Sequence, residues 1–352
     1  MRSMPNEAYE VAIIGAGPIG IELAVALKKA GIPYIHFEAG QIGATMMWWS
    51  PGTRWFSSNE RIAIAGVPLV TPDQGKATRE LYLSYLRQIV TMFDLPIRTY
   101  EPLTGVVRGR DGVFELTTST RGGDRVTHAR RIVLCTGGTD RPRRLGIPGE
   151  DLPHVSAYFD EPHAFFRQKV LILGGRNSAV EAALRCFHAG AKVSLSYRQS
   201  KLVEQSIKYW LLPEINGYLK TGEIAPYFLT NPIKITPTHV TLQHCGEQAC
   251  AGETFDVEAE FVLKLIGYEQ DGQLFKSCGV ELIDAQCKPA HNPQTMMTNV
   301  EGIYVAGTAI GGTQERYRIF LENCHVHVDR ILSDITGRKV EREVKTFERE
   351  ES

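Results

Sequence analysis

The chain has 352 residues, of which 43% are hydrophobic and 22% charged, and its net charge is −1 at pH 7. This length favours two domains, and the near-neutral charge gives no reason to expect nucleic acid or an anionic membrane as a partner. No apolar run has the length of a bilayer span and residues 1–10 are polar, so we expect a cytoplasmic protein. The seven cysteines are scattered and include no Cys-x-x-Cys pair, which favours reduced thiols over a disulfide framework.

The N-terminal part of the chain has the pattern of a dinucleotide-binding unit. A short apolar strand, Val11–Ile14, is followed by a Gly-x-Gly-x-x-Gly loop, an apolar helical pattern and a second strand, Tyr34–Phe37. In such a unit the three glycines allow a tight turn, close approach of a pyrophosphate and close packing of helix on strand. Glu38 would accept hydrogen bonds from ribose hydroxyls. We expect the following residues to contact this first dinucleotide: Gly15, Gly17, Pro18, Ile19, Gly20, Glu38 and Ala39.

Residues 39–75 are irregular and contain three of the four tryptophans, Trp48, Trp49 and Trp55. These side chains could form an aromatic wall beside a flat ring system, or they could pack in a core or subunit interface, and the sequence leaves both interpretations open. A helix is predicted over Thr78–Phe93, with Thr78 as its N-terminal cap. From 105 to 127 the residues alternate as in strands of a β-meander.

The strand–glycine loop–helix–strand pattern recurs in mid-chain. A strand at Lys169–Leu173 precedes the loop, a helix is predicted from Ala179 to Gly190, and a second strand covers Val193–Tyr197. We interpret this internal repeat as the site of a second dinucleotide. The residue that corresponds to Glu38 is Tyr197, and the cations after it favour a 2′-phosphate, so the first site suits FAD and the second NADPH. The residues expected at the second site are Gly174, Gly175, Arg176, Asn177, Ser178, Ala179, Tyr197, Arg198 and Lys201.

The remaining sequence predicts a helix over Lys208–Lys220, a strand over Phe261–Leu265 and a strand before Gly307. A final helix is predicted over Arg318–Leu332. The charge-rich tail from Arg338 is expected to be frayed or solvated.

These pieces together resemble the pyridine nucleotide–disulfide oxidoreductase superfamily, and the small two-domain layout is similar to thioredoxin reductase-like flavoproteins. The resemblance rests on the two nucleotide motifs, on Thr136-Gly137-Gly138 before a crossover and on Tyr304–Gly307. It implies an α/β fold of two Rossmann-like, three-layer ββα dinucleotide-binding domains, the second inserted in the first. We expect a discontinuous FAD domain of residues 1–153 and 270–352, and an NAD(P)H domain of residues 154–269. Further cofactor contacts implied by the resemblance are Thr136, Gly137, Gly307 and Thr308.

A narrower resemblance to the bacillithiol disulfide reductase family extends over the whole chain. The segments that carry it are Phe56–Ile62, Gly66–Pro68, Glu161–Phe166, Gly174–Ala179 and Ile319–Asn323. In that family a basic residue also occupies the position of Arg176, and the C-terminal Ala-Gly turn also lacks the flavin-binding Asp, where this chain has Thr308. Members carry a cysteine in the first glycine loop, proposed to act in thiol exchange, but this chain has Ile19 there.

Other cysteines offer weaker candidates for a nucleophile. Cys324 lies on the helix that approaches the flavin in this superfamily, and His325 beside it could lower the pKa of the thiol. We favour the competing interpretation of Cys324 as a buried structural residue. Cys245 and Cys250 have only a loose zinc-like spacing with no second ligand pair, so no metal is expected.

The sequence therefore predicts an FAD-dependent NADPH oxidoreductase that passes a hydride from NADPH to the flavin and then reduces a small acceptor, such as a low-molecular-weight disulfide. Three alternatives stay open: a flavin monooxygenase or NADPH oxidase, a reductase for a carrier such as ferredoxin, and a non-catalytic flavin- or nucleotide-binding regulator. The monooxygenase is disfavoured because Tyr158–His163 lacks the glycine of the usual Phe-x-Gly-x-x-x-His segment. We expect a homodimer or another homo-oligomer.

Overall fold

The computed structural model of the protein describes residues 8–246, 252–314 and 318–340. These residues form two compact units. The first contains the described residues up to Met47, then Gly52–Arg141, and those from Glu269 onward; the second contains Trp48–Pro51 and Pro142–Tyr268. In these ranges no helix combines the length and apolarity needed to cross a membrane. Most of the charge-rich tail, residues 341–352, and Cys250 lie outside the described residues.

The strands of the two units are short. They are β1 (Val11–Ile14), β2 (Tyr34–Phe37), β3 (Ile97–Arg98), β4 (Leu103–Arg108), β5 (Phe114–Thr120), β6 (Gly123–Ala129), β7 (Ile132–Leu134), β8 (Arg141–Pro142), β9 (Val155–Ser156), β10 (Lys169–Leu173), β11 (Lys192–Tyr197), β12 (Ala225–Phe228), β13 (Thr230–Ile235), β14 (His239–His244), β15 (Thr254–Glu258), β16 (Phe261–Lys264), β17 (Tyr268–Glu269) and β18 (Ile303–Val305). The α-helices are α1 (Pro18–Lys29), α2 (Ala44–Met47), α3 (Asn59–Ile62), α4 (Arg79–Met92), α5 (Asn177–His188), α6 (Leu212–Thr221), α7 (Gln273–Ser277) and α8 (His325–Thr336).

The first unit is built on a parallel sheet with the order β18-β7-β1-β2-β3. Its strands are buried on both faces, as expected of a parallel sheet covered on both sides. On one face Ala12 and Ile14 pack in a common core with Phe114 and Leu116 of the antiparallel sheet β4-β5-β6. On the helical side α1 packs against α8. The carboxyl ends of β1, β7 and β18 therefore meet at one edge, where the candidate site lies.

The helix predicted over Thr78–Phe93 is confirmed as α4. Thr78 caps it by accepting a hydrogen bond from the backbone N–H of Leu81 at 3.3 Å. Tyr82 and Tyr85, both buried on the apolar face, donate hydrogen bonds from their hydroxyls to the carbonyls of Ile62 and Val67. The helix thus anchors part of the irregular stretch that precedes it.

The second unit repeats the architecture of the first. Its parallel sheet has the order β12-β11-β10-β16-β9, and β13-β14-β15 form an antiparallel sheet. The alternation along β10 separates two cores: Val170 and Ile172 face the helical side, whereas Leu171 and Leu173 pack with Val240 and its neighbours in the antiparallel sheet. The expected fold class of two Rossmann-like, three-layer ββα domains, the second inserted in the first, is confirmed.

The division between the units differs from the expected boundary at residue 153. Residues 142–153 belong to the second unit because they pack on its antiparallel sheet and its central strand. A Cβ atom at Gly149 would lie 1.9 Å from the carbonyl oxygen of Ile235. Glu150 and Lys264 form a buried ion pair at 2.6 Å. Burial acts to raise the pKa of Glu150, but hydrogen bonds from Lys264 and two backbone N–H groups outweigh it and lower that pKa to about 2.

Several predicted element boundaries are wrong. The helix predicted from Lys208 begins at Leu212, because Pro213 lies in its first turn and Lys208 is buried in a separate ion pair with Glu181. The helix predicted from Ala179 begins at Asn177.

The final helix was predicted over Arg318–Leu332 but covers His325–Thr336. Asn323 bonds both the N–H of Phe320 and the carbonyl of Arg318, which holds the preceding residues in a non-α turn. Gly337 ends the helix in the left-handed conformation.

Candidate functional site

The first glycine loop connects β1 to α1, and its glycines meet three different demands. Gly15 has φ +104°, and a Cβ there would lie 2.5 Å from the carbonyl oxygen of Cys135. A Cβ at Gly20 would lie 2.0 Å from the carbonyl oxygen of Gly15. At Gly17 a Cβ would meet no atom within 4 Å. The first and third glycines are therefore required by the protein itself, whereas the second leaves open space for a ligand.

The peptide group between Gly15 and Ala16 is held by hydrogen bonds to His36 of β2 and to Glu38, which directly follows that strand. Glu38 accepts a hydrogen bond from the N–H of Ala16 at 2.7 Å and, through its other oxygen, from the N–H of Gly40 at 2.7 Å. His36 Nε2 lies 2.9 Å from the carbonyl oxygen of Gly15, and since a carbonyl only accepts, the ring donates. Each oxygen of Glu38 keeps a lone pair for a ribose hydroxyl.

Sequence reasoning missed His36. Its ring is fully buried in a parallel strand, where an apolar residue is the norm. Burial lowers the pKa of His36 to about 4, against a smaller opposing effect of the hydrogen bond to Gly15. A histidine in an otherwise apolar strand two residues before the ribose-binding acid is the signal that could have identified it.

Two further turns meet the first loop at the same edge of the sheet. Gly137, after β7, has φ +81°, and a Cβ there would lie 3.9 Å from Thr308 Oγ1. Gly307, after β18, has φ +76°, and a Cβ there would lie 3.5 Å from Ile19 Cβ. The N–H of Gly307 donates to Nδ1 of the buried His327 at 3.2 Å. The structure thus brings the expected FAD contacts of all three turns together.

These residues fit a bound FAD. Helix α1 has Gly17 as its N-terminal cap residue and Pro18 in its first turn, with no side-chain cap and no acidic residue there. Its free N–H groups and positive dipole end therefore suit a pyrophosphate. Thr136 Oγ1 is buried without a hydrogen-bond partner among the described residues and can serve a polar group of the cofactor. Ala39 is exposed beside Glu38, at the end where a ribose would lie.

The second glycine loop, between β10 and α5, is built more tightly. Gly174 has φ +134°, and a Cβ there would lie 2.4 Å from the carbonyl oxygen of Leu265 and 3.1 Å from Ala179 Cβ. A Cβ at Gly175 would lie 2.4 Å from the ring of Tyr197. Tyr197 is buried, so its ring supports the loop from below instead of offering an exposed stacking face. Arg176 is the N-terminal cap residue of α5, without a side-chain cap, and Ser178 is exposed in its first turn.

Two cations follow β11. Arg198 and Lys201 are both exposed, and neither pairs with a carboxylate among the described residues. Asn177 has a structural task, because its side-chain oxygen accepts the N–H of Lys208 at 3.0 Å. The ion pair of Lys208 with Glu181 at 2.6 Å then fixes residues 204–211 beside the start of α5.

The surroundings of Cys324 disagree with the effect expected of His325. The thiol is fully buried and donates to the carbonyl of Phe320 at 2.9 Å. Burial raises the pKa of Cys324 well above its usual range, with Cys135 and Glu22 adding to the shift, so the thiolate is disfavoured. His325 Nδ1 lies 2.8 Å from a carboxylate oxygen of Glu22, and its Nε2 lies 2.9 Å from the carbonyl of Arg61. A catalytic role for Cys324 stays a prediction that these contacts oppose.

The other cysteines divide into three kinds. Cys135, Cys186 and Cys278 are free and buried, whereas Cys287 is free and half-buried. Cys245 is disulfide-bonded, so the expectation of reduced thiols is wrong at this position. Within the described ranges no three His, Cys, Asp or Glu side chains are grouped to hold a metal ion.

Trp48 and Trp55 each pack against aromatic side chains of their own unit. Trp48 belongs to the second unit and packs edge-on against Tyr158 and Tyr268, with ring centroids 5.1 and 4.5 Å away. Trp55 belongs to the first unit and packs on Tyr82 at 4.5 Å. These ring contacts favour the packing interpretation for both residues.

Comparison with known proteins gives consistent results. Residues 12–307 match the family described as pyridine nucleotide-disulphide oxidoreductase. The chain is 34% identical to bacilliredoxin reductase Bdr of Bacillus subtilis (strain 168), over 93% of this chain and 97% of that protein. The solved structure of bacillithiol disulfide reductase Bdr from Bacillus cereus has a TM-score of 0.86 and 32% identity, over 94% of this chain and 99% of that one. A ferredoxin–NADP reductase of Ignicoccus hospitalis is 25% identical, over 84% of this chain and 88% of that protein.

Two glycine loops, each at the carboxyl edge of its own parallel sheet, are typical of a protein that binds two dinucleotides, and the comparisons make that protein an oxidoreductase. The chain belongs to the pyridine nucleotide-disulphide oxidoreductase family, and its expected resemblance to bacillithiol disulfide reductases is confirmed. It is an FAD-dependent oxidoreductase that uses NADPH.

Proposed function

We propose that the protein uses NADPH to reduce a low-molecular-weight disulfide. The observation that carries the proposal is the similarity, over more than nine-tenths of the chain, to a bacilliredoxin reductase and a bacillithiol disulfide reductase. The two loops support it, since the first has a ribose-binding acid and the second has cations at the corresponding end of its strand.

The overall reaction is NADPH + H⁺ + RSSR → NADP⁺ + 2 RSH. When bound, FAD would supply the redox chemistry that connects hydride transfer from NADPH to the two-electron reduction of the disulfide. The residues of the chain bind and orient. His36 and Glu38 fix the Gly15–Ala16 peptide, and the start of α1 would hold the pyrophosphate. Arg198 and Lys201 select the 2′-phosphate of NADPH. Hydride transfer itself requires no side chain as acid or base.

We further propose that the disulfide is reduced without a protein thiol relay. Ile19 occupies the loop position where the resembling family has a cysteine, and the sequence has no Cys-x-x-Cys. Ile19 is buried, and its side chain lies against the turn at Gly307. Cys324 is disfavoured as a thiolate by its burial.

The test is NADPH oxidation by the FAD-loaded protein under anaerobic conditions, with a disulfide as the only acceptor. We expect two thiols for each NADPH consumed. The second candidate is a reductase for a protein carrier, favoured by the similarity to ferredoxin–NADP reductases. Rapid NADPH oxidation with ferredoxin, and none with any small disulfide, would replace the first proposal by the second.

We also propose that the enzyme works in the cytoplasm and as a homodimer. The proposal draws on the family resemblance. Light scattering of the purified FAD-loaded protein tests the oligomeric state, and a mass of one chain would refute the dimer.

A further inference from the structure

The connection between β11 and α6 carries an exposed aromatic side chain beside the second glycine loop. Tyr209 is 55% exposed, although it directly follows two buried residues, Ile207 and Lys208. A single exposed aromatic residue is normal on a protein surface and by itself indicates no function. The position of Tyr209 is informative because the backbone that carries it is bonded to the first residue of α5.

The hydrogen bond that sets this position joins the connection to Asn177. The N–H of Lys208 donates to the side-chain oxygen of Asn177 at 3.0 Å, and Tyr209 follows one peptide unit later, about 3.8 Å along the chain. Asn177 begins α5, a helix with no side-chain cap and no acidic residue in its first turn. Free N–H groups at such a helix start suit the pyrophosphate of NADPH. Tyr209 is therefore held close to the helix end where that pyrophosphate would lie.

Three further contacts hold the backbone around Tyr209. Nζ of Lys208 lies 2.6 Å from a carboxylate oxygen of Glu181, in the second turn of α5, and both side chains are largely buried. The N–H of Leu211 donates to the carbonyl of Lys208 at 2.9 Å and closes a turn over residues 208–211. Ile207 is buried in the core on the helical side of the sheet. A ligand that binds at Tyr209 would therefore have little backbone to order, which lowers the entropic cost of binding.

Trp210 restricts the ring of Tyr209. The centroids of the two rings are 5.0 Å apart and the ring planes are perpendicular, at 90°. Trp210 is itself held over the ion pair, since Nζ of Lys208 lies 5.9 Å from the centroid of its ring. The aromatic side chain beside the helix start is thus ordered as well as exposed, which favours a binding surface.

The adenosine half of NADPH is the part that the chain brings to this place. Arg198 and Lys201, the exposed cations that suit the 2′-phosphate, lie in the same connection as Tyr209. The adenine ring would need a flat side chain on which to stack. Tyr197, at the end of β11, offers no exposed face because its ring is buried against Gly175. Tyr209 supplies the exposed ring.

We propose that Tyr209 stacks on the adenine ring of NADPH and thereby contributes to the affinity for the coenzyme. The inference concerns the coenzyme, so it rests on the assignment of the second loop to NADPH and is independent of the electron acceptor. Stacking of a base on an aromatic side chain commonly changes affinity by about tenfold or more.

The test is a calorimetric titration of the oxidised, FAD-loaded full chain with 2′,5′-ADP and with NADP⁺, neither of which donates a hydride. Tyr209→Leu removes the ring and keeps an apolar side chain, whereas Tyr209→Phe keeps the ring. We expect Tyr209→Leu to raise the Kd of both ligands about tenfold, and Tyr209→Phe to change each Kd by less than about twofold. The Tm of both variants should stay close to that of the wild type, because the substituted side chain is exposed.

Phe166→Leu is the matched control. Phe166 is 49% exposed in the same unit, and its ring lies against Gly190, just beyond the opposite end of α5. This variant should leave the Kd of both ligands unchanged. An equal loss of affinity in Phe166→Leu would show that the effect of Tyr209→Leu is not local, and would overturn the inference.

Three other results would also overturn it: a wild-type Kd in Tyr209→Leu, a loss of affinity that Tyr209→Phe shares, or a loss confined to NADP⁺, which would place Tyr209 at the nicotinamide half. A wild-type protein that binds neither ligand would refute the assignment of the second loop, and the inference with it. A wild-type protein that binds both ligands but reduces no disulfide would refute the proposed function alone.

Discussion

Gly17 offers a way to separate cofactor binding from folding. A methyl group at this position meets no protein atom within 4 Å, and φ is −75°, which alanine adopts freely. Gly17→Ala should therefore change the stability of the apoprotein by less than about 1 kcal/mol, the usual scale for a cap residue. The same methyl occupies the space through which a pyrophosphate approaches the start of α1. We expect FAD affinity to fall at least about tenfold, or about 1.4 kcal/mol.

Gly20→Ala is the matched comparison three residues along the loop. Its methyl would lie 2.0 Å from the carbonyl oxygen of Gly15, which His36 holds in place. Movement of the loop would break that hydrogen bond. We therefore expect Gly20→Ala to lower the free energy of unfolding by about 2 kcal/mol, within the range for overpacking. For a unit of this size that corresponds to a fall in Tm of roughly 4–8 °C.

Thermal melts of the two apoproteins, followed by FAD titration monitored by quenching of flavin fluorescence, give both quantities. We expect a wild-type Tm with weak FAD binding for Gly17→Ala, and a lower Tm for Gly20→Ala. Wild-type FAD affinity in Gly17→Ala would refute the assignment of Gly17 to the approach of the pyrophosphate. A fall in Tm of the Gly17→Ala apoprotein as large as that of Gly20→Ala would refute it as well.

Three further predictions concern the remaining parts of the site. Arg198→Ala should weaken NADPH use about tenfold and leave NADH use nearly unchanged, because only NADPH carries the 2′-phosphate; equal effects in steady-state kinetics would remove that assignment. The free energy of unfolding should fall as pH drops from about 6.5 to 4. In this range the histidines of the unfolded chain bind protons, whereas His36 and His327 stay neutral in the folded protein because their pKa values are about 4 and about 3. Each histidine contributes up to about 1.4 kcal/mol per pH unit, so chemical denaturation of His36→Gln should show a shallower pH slope, and an unchanged slope would contradict this account. Cys324→Ser should keep full disulfide turnover, because the hydroxyl can replace the buried S–H donor to Phe320; lost turnover with normal flavin reduction would instead establish a catalytic thiol.

Sequence alone could predict the parts of the site whose residues lie close together in the chain. The glycine spacing, the strand before it and Glu38 identify the first loop because each residue acts within one strand–turn–helix unit. The same holds for Thr78, which caps its own helix. The internal repeat then predicted the second loop and the two-domain fold.

Contacts between residues far apart in the chain could not be inferred in this way. Glu150 and Lys264 are 114 residues apart and place residues 142–153 in the second unit. The aromatic partners of Trp48 and Trp55 lie in other parts of the chain, which the sequence does not reveal. The pKa of Cys324 depends on burial, and not on the neighbouring His325 that the sequence displays.

The central claim is an FAD- and NADPH-dependent reductase of small disulfides, and an anaerobic titration of the FAD-loaded protein with NADPH tests it most directly. We expect the visible absorbance of oxidised flavin to bleach as NADPH is added, and to return when a small disulfide is added, with two thiols released for each NADPH. A flavin that does not bleach would contradict the assignment of the second loop as an NADPH site. A bleached flavin that only oxygen or ferredoxin reoxidises would contradict the disulfide as acceptor.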